Sequence, residues 1–370
     1  MKLKYVLIII VVLVICSGAL IYYLVNNSAQ VVTDENSLVW DTESTVVFEP
    51  ENAAHGAFYP RMLVLKNGDW LVAYDTNDGA IETRIQVSRS RDKGKTWTVL
   101  STASFGAGDA ANAQMVQLPD GDVLLAYRVV NGHHKILKVS RSSDNGETWE
   151  ELSVIAEAMM DNYRGVWEPH MGFLPDGKLA VMYASEVYQP QFPQVIEMKV
   201  SDDFGKTWGD PIRVSDNVLS RDGMPVWTIT KDNKVLAVFE ATDDPTGFKP
   251  FIIRYKISED GYDWSGERKI LYSPTNAFNS VGAAPFVVTM PNGVLVASCQ
   301  VDRNPGGIDM HTLWSLDSGD TWVVQQPAFE SPGDDNWNAL YPLKDGRIVA
   351  LTSTYSGKNS RIEIKFGEIR

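Results

Sequence analysis

The chain has 370 residues, a formal net charge of −14 and only two cysteines, Cys16 and Cys299. That charge excludes the basic face which nucleic-acid binding requires. With Cys16 inside an apolar segment, an intradomain disulfide is excluded as well.

In chain order, the first element is an uncharged run of 21 residues, Tyr5 to Val25, preceded by Lys2 and Lys4. Its length can span a bilayer, and the lysines hold the N-terminus in the cytoplasm. Three readings compete: an uncleaved signal-anchor, a signal peptide cut near Ser17-Gly18-Ala19, and a lipoprotein signal ending at Cys16. Ile15 sits where the last of these needs a small residue, and the length of the run favours the anchor over cleavage. All three export the remainder of the chain. Residues 1–30 are read as signal-anchor or signal peptide, 31–42 as a tether and 43–370 as one extracytoplasmic domain, membrane-bound if the segment stays uncleaved.

The rest of the chain is repetitive. The phrase Ser-x-Asp-x-Gly-x-Thr-Trp runs from Ser90 to Trp97, Ser142 to Trp149, Ser201 to Trp208 and Ser315 to Trp322, with a copy one residue shorter from Ser258 to Trp264. Its aspartates, at positions 92, 144, 203, 260 and 317, recur every 52 to 59 residues. A period of that size belongs to a solenoid or propeller, whose units bury their faces only against each other. The phrase is turn chemistry: Ser and Asp side chains bond local amides, Gly supplies positive φ, and Trp packs between units.

A second pattern counts the units. An apolar run reaches a turn at Asn67-Gly68, Asp120-Gly121, Asp176-Gly177, Asp232-Asn233, Asn292-Gly293 and Asp345-Gly346, and each turn is followed by a β-rich segment such as Val123 to Tyr127. Asp-Gly or Asn-Gly between such runs signals a hairpin, and Asn233 also tolerates the left-handed region. Six hairpins predict an all-β, six-bladed propeller. The last repeat ends before any Ser-x-Asp phrase, so Ser44 to Phe48 is expected to supply its outer strand and close the ring.

The repeats also locate the mouth of the channel. Nine positions before the turn residue stand Tyr59, Asn112, Glu168, Met224, Ala284 and Trp337, and seven after it stand Asp75, Arg128, Ala184, Glu240, Gln300 and Ser353. The start of each first strand and the end of each second strand meet at one end, so these two rings should rim the mouth. Glu240 ends the apolar strand Val235 to Phe239. Alone it would be a strand cap, but with Glu168 on the facing ring of the preceding blade the two form the minimal kit for glycoside hydrolysis. Tyr59, Asp75, Asn112, Arg128 and Gln300 are candidates for hydrogen bonds to sugar hydroxyls, Trp167 and Trp337 for stacking on a sugar face, and His170 for orienting Glu168. The loops Tyr188 to Pro193 and Asp302 to Gly306 are expected to shape the pocket. No His, Cys or carboxylate cluster has metal-ligand spacing, and no phosphate cradle is present, so neither metal nor cofactor is expected.

The eight-residue phrase resembles the Asp-box of sialidase-type propellers. Val166-Trp167-Glu168-Pro169, with Phe173 to Gly177 after it, resembles the Trp-Glu-Pro segment of family 93 glycoside hydrolases, and Gly223-Met224-Pro225-Val226 leading to Glu240 resembles that family's second glutamate segment. The likeness covers roughly residues 45–370. It implies an exo-acting, retaining hydrolase of α-1,5-L-arabinan or a related glycan, with Glu240 as nucleophile and Glu168 as acid/base or the roles exchanged. The alternative is a sialidase, since Tyr59-Pro60-Arg61-Met62 resembles the segment carrying that family's first arginine; Arg164, Arg221 and Arg303 could complete a carboxylate clamp, but each reads first as a solvated loop arginine. Against it, Trp337 stands where a sialidase has its nucleophilic tyrosine. A third possibility, of another class, is a non-catalytic propeller that binds glycans or an envelope partner.

Overall fold

The computed structural model describes residues 37–52, 54–78, 80–106, 108–159, 164–244, 250–274, 281–302, 306–330, 333–355 and 359–370. The apolar N-terminal run, residues 31–36 of the tether, and Arg303 with the centre of the Asp302 to Gly306 loop lie outside the described residues. Among those described, every regular element is a strand, and none is a helix able to cross a membrane.

Strands β1 (Leu38–Trp40) and β2 (Thr45–Phe48) precede the first repeat. Blade one is then β3 (Ala57–Val64), β4 (Trp70–Thr76), β5 (Arg84–Ser90) and β6 (Thr98–Thr102), each pairing with the next. Blade two is β7 (Asp109–Gln117) to β10 (Glu150–Met159), and blade three is β11 (Val166–Phe173) to β14 (Ile212–Ser215). Blade four runs from β15 (Asp222–Ile229) through β16 (Val235–Ala241) and β17 (Ile252–Ser258) to β18 (Lys269–Tyr272), and blade five from β19 (Gly282–Thr289) to β22 (Val323–Phe329). Blade six has β23 (Asp334–Pro342), β24 (Ile348–Tyr355) and β25 (Ser360–Ile369). The six first strands touch in succession and β23 touches β3, so they form a closed inner ring.

The expected closure is present, with Thr45 opposite Ile364 in the β2–β25 pair. One boundary needs correcting. β1 falls within the stretch read as tether, yet Leu38 pairs with Ile369 and is buried in the core. Three residues are too few to show a strand pattern in sequence, and only the free edge of β25 made Leu38–Trp40 a strand.

The turn chemistry is as expected. Ser142 Oγ donates to Asp144 Oδ1 at 2.7 Å, the Gly146 amide donates to Ser142 Oγ at 2.8 Å, the Thr148 amide to Asp144 Oδ1 at 2.9 Å, and Trp149 Nε1 to the Gly146 carbonyl at 3.1 Å. Trp149 Nε1 also donates to Ser101 Oγ of the preceding blade, and Trp208 does the same to Ser153. Trp149 and Trp208 are therefore inter-blade pins. At the degenerate hairpin turn Asn233 has φ 63°, as its side chain allows.

One regularity connects the fold to the site. Each inner strand breaks register once, between Phe58 and Arg61, Ala111 and Gln114, Trp167 and His170, Gly223 and Val226, Ala283 and Phe286, and Asn336 and Ala339. The first unpaired residue of each bulge is Tyr59, Asn112, Glu168, Met224, Ala284 or Trp337, and all six have φ between 46° and 61°. A bulge of this kind re-aims a side chain and frees backbone groups from the ladder.

Candidate active site

The freed amides have partners in the neighbouring blade. A residue near the end of one blade's second strand accepts from the bulge amide of the next: Ser353 Oγ from Tyr59 at 3.2 Å, Asp75 from Asn112 at 3.0 and 3.1 Å, Glu240 Oε2 from Ala284 at 2.9 Å, and Gln300 Oε1 from Trp337 at 2.7 Å. The two rings read from the repeats are thus one latch, closed in four places. The exceptions are Arg128 and Ala184, which cannot accept, and they flank Glu168 on both sides.

Glu240 is therefore held by the fold before any ligand arrives. It is 5% exposed, with Oε2 on the Ala284 amide and Oε1 at 3.1 Å from Arg221 Nη1. Together the two contacts leave the carboxylate no freedom to turn. Glu168 is placed differently. It rides on the bulge of β11, partly buried, and its Oε2 is shielded from solvent without a hydrogen-bond partner. Burial pushes its pKa up to about 7, opposed by Arg221 and Arg128 and assisted by the charge of Glu240. Two carboxyls that sense each other therefore sit in contrasting environments, one tied by an arginine and an amide and the other shielded without a partner on Oε2.

Arg221 links them. Sequence alone read it as a solvated loop arginine; the structure corrects this, because it pairs with Glu240 and also lies in the field of Glu168. Its route passes over Gly223, where a Cβ would come within 2.8 Å of Gln194 Oε1, 3.1 Å of Arg221 Nη1 and 3.4 Å of Glu240 Oε1. Beneath it, the fully buried Asp222 accepts from Ser215 at 2.7 Å and Ser220 at 2.7 Å and pairs with Arg268, which fixes the start of β15. Gln194 is buried beside the pair, and neither of its amide heteroatoms has a partner. A methyl at position 223 should displace the Arg221–Glu240 pair. Gly223→Ala is expected to lower kcat/KM about ten- to a hundredfold, the scale of a misplaced catalytic group, with the melting temperature little changed.

The other predicted residues divide into two levels. At the rim, Arg128 stacks over Trp167 at 5.0 Å and has no hydrogen bond among the described residues, while Trp167 Nε1 is tied to Glu186 at 2.6 Å. Trp337 is 36% exposed, its ring edge-on to Phe58. These surfaces are open to a ligand. Asp75, the Asn112 amide and Gln300 are engaged in the latch, Gln300 additionally with Asn336 at 3.0 Å. Tyr59 is buried, with its pKa pushed up to about 12, chiefly by that burial.

Arg61 and His170 are corrections. Arg61 is 3% exposed and donates to the carbonyls of Pro60, Trp337 and Asn338, under the Tyr59 ring. His170 is 8% exposed, edge-on to Trp227 and Phe286, with no hydrogen bond to Glu168. Both follow the bulge and so point into the channel below the mouth, a parity that the unseen bulge reverses. In the loop after β12 (Leu179–Ser185), Tyr188 donates to Glu197 and lies under Arg213 at 4.2 Å, so it is packed inward. Among the described residues no group of His, Cys, Asp and Glu has the arrangement of a metal site.

A closed six-bladed ring with a carboxyl pair at its mouth is the class that the fold and geometry define. A family model described as BNR repeat-like domain matches residues 24–164 and 193–362, and the chain belongs to that family. No curated protein matches it. Among solved structures it is similar to an α-L-arabinanase of Penicillium chrysogenum complexed with arabinobiose, at 21% identity and TM-score 0.73 over 89% of this chain and 98% of that one. It is similar also to the family 93 α-L-arabinofuranosidase of Fusarium graminearum with arabinobiose, at 19% identity and TM-score 0.71 over 87% and 96%. A sialidase of Streptococcus pneumoniae gives 13% identity and TM-score 0.64 over 87% of this chain and 70% of that one. At these identities the likeness establishes the shared propeller fold.

Proposed function

We propose that the protein is an exported, retaining glycoside hydrolase that releases units from the end of α-1,5-L-arabinan or a closely related glycan. The observation that carries this reading is the unequal carboxyl pair: Glu240 held by Arg221 and the Ala284 amide, Glu168 pushed up to about 7 on the facing bulge. In this scheme the Glu240 carboxylate attacks the anomeric carbon while Glu168 protonates the departing glycosidic oxygen. A water then enters, Glu168 takes its proton, and the glycosyl ester on Glu240 is released with net retention. Trp167, Arg128 and Trp337 form the ligand-facing wall, and the arabinobiose complexes of the structural neighbours fit an oligosaccharide ligand. The sialidase alternative loses support because Arg61 is 3% exposed, with Nη1 on three carbonyls, and is not presented at the mouth.

The test is hydrolysis of linear α-1,5-arabinan and of an aryl sialoside by the purified protein, with product configuration followed by proton NMR. Release of arabinose or arabinobiose with retained configuration is the expected result. Sialoside cleavage would overturn the reading, and inactivity on both with tight arabinan binding would replace it by a glycan-binding propeller.

A further inference from the structure

Among the described non-glycine residues with positive φ, six are the bulges, Lys93, Asn145, Phe204 and Ser318 each precede the glycine of an Asp-box, and Asn233 makes a hairpin turn. Asp243, with φ 48°, belongs to none of these repeats. A left-handed residue that the repeat does not demand is held there by its surroundings, at a cost, and such strain collects around functional sites.

The surroundings are an ionic circuit. Asp243 Oδ2 accepts from Arg254 Nε at 2.9 Å and from Arg254 Nη2, and Oδ1 accepts from Arg268 Nη1 at 2.7 Å. Arg268 continues to Asp222 and to Ser220 Oγ at 2.8 Å, and Arg254 Nη1 donates to the Arg268 carbonyl at 3.0 Å. The Asp243 amide donates to the same Ser220 Oγ at 3.2 Å. Two arginines and two aspartates, neutral in sum, thus join the residues on either side of Arg221 to the segment leaving β16.

Arg221 is tied to that segment in both directions. Its amide donates to Thr242 Oγ1 at 3.1 Å, and its carbonyl accepts from the Thr242 amide at 3.3 Å. Its guanidinium lies over the Phe251 ring at 5.3 Å and reaches Glu240 Oε1 at 3.1 Å. Gly or Asn would make a left-handed turn at lower cost. Bridging two guanidiniums needs an anion, so the charge of Asp243 accounts for its presence and the turn does not.

We propose that Asp243 is a positioning residue, which joins Arg254 to Arg268 and thereby sets the Arg221–Glu240 pair. Its effect on turnover rests on the hydrolase reading above; its effect on the geometry of the pair does not.

The test compares Asp243→Asn and Asp243→Gly with wild type. Both replacements tolerate the left-handed backbone, and both remove the charge. Each is expected to lower kcat on arabinan about ten- to a hundredfold with KM little changed. In an Arg221→Met background Asp243→Asn should cost little more, because the two act through one contact. Crystals of Asp243→Asn are expected to show Arg221 Nη1 and Glu240 Oε1 separated beyond about 4 Å. A purely structural turn predicts wild-type kcat for Asp243→Gly and additive losses in the double variant, and either result would overturn the proposal. So would an Arg221–Glu240 pair unmoved in the crystals. Should the wild type leave arabinan intact, the substrate reading fails, and the crystallographic comparison still decides the role of Asp243.

Discussion

Glu240→Gln is expected to lower kcat on arabinan by ~10⁴-fold or more, while the protein stays folded and binds arabinobiose about as well as before. The substitution is chosen because Glu240 has two duties. One oxygen closes the inter-blade latch on the Ala284 amide, and the other faces Arg221. The chain contains its own control for the first duty: at the equivalent place in blade five, Gln300 closes the same latch with an amide oxygen at 2.7 Å. A glutamine at 240 can therefore keep the fold and lose only the charge to which the proposed mechanism assigns the attack on the anomeric carbon. Glu240→Ala is a poorer test, since it also leaves the Ala284 amide unsatisfied at a cost of about 1–3 kcal/mol. Activity of the glutamine variant within tenfold of wild type would remove Glu240 from the mechanism and leave it a strand cap.

Glu168→Gln should give a second signature, in pH rather than in magnitude alone. With its pKa pushed up to about 7, chiefly by burial, Glu168 is the protonated acid below that pH and is progressively lost as a donor above it. The wild-type kcat/KM is expected to fall as pH rises through about 7. In Glu168→Gln that limb should vanish, with a loss of about 10²–10⁴-fold on natural glycans and less on aryl glycosides whose leaving group needs no proton. Stability carries the same sign. A carboxyl whose folded pKa lies above its unfolded value contributes stability that is complete below about 4.5 and lost as pH rises through about 7. The variant's melting temperature relative to wild type should accordingly be higher at pH 8 than at pH 5. A pH-independent difference would mean that Glu168 is already ionised throughout and is not the acid.

Much of this was legible in the chain because repetition works as a ruler. The hairpin turns counted six blades and placed six residues on one ring, and those six are the six left-handed bulges. The ruler could give an address but no conformation: nothing in Tyr59, Glu168 or Trp337 as residue types announces a positive φ, since the bulge arises where six strands converge. Once the bulge is present, alternation is interrupted, and Arg61 and His170, two residues past it, point into the channel where a regular strand would have kept them with the rim. Arg221 was misjudged for a related reason. A charged residue in a loop is by default solvated, and its partnership with Glu240 depends on the space left by Gly223 and on Asp222 locked to Arg268 beneath it.

The sequence by itself determined the blade count, the turns and the order of strands, because hairpin and Asp-box chemistry is local and repeats in register. Tertiary structure alone decided which ring members are latches and which are open to a ligand, that Leu38–Trp40 joins the closing sheet, and that the two glutamates differ in character. Those outcomes depend on burial and on partners from other blades, and neither property is local to any stretch of chain.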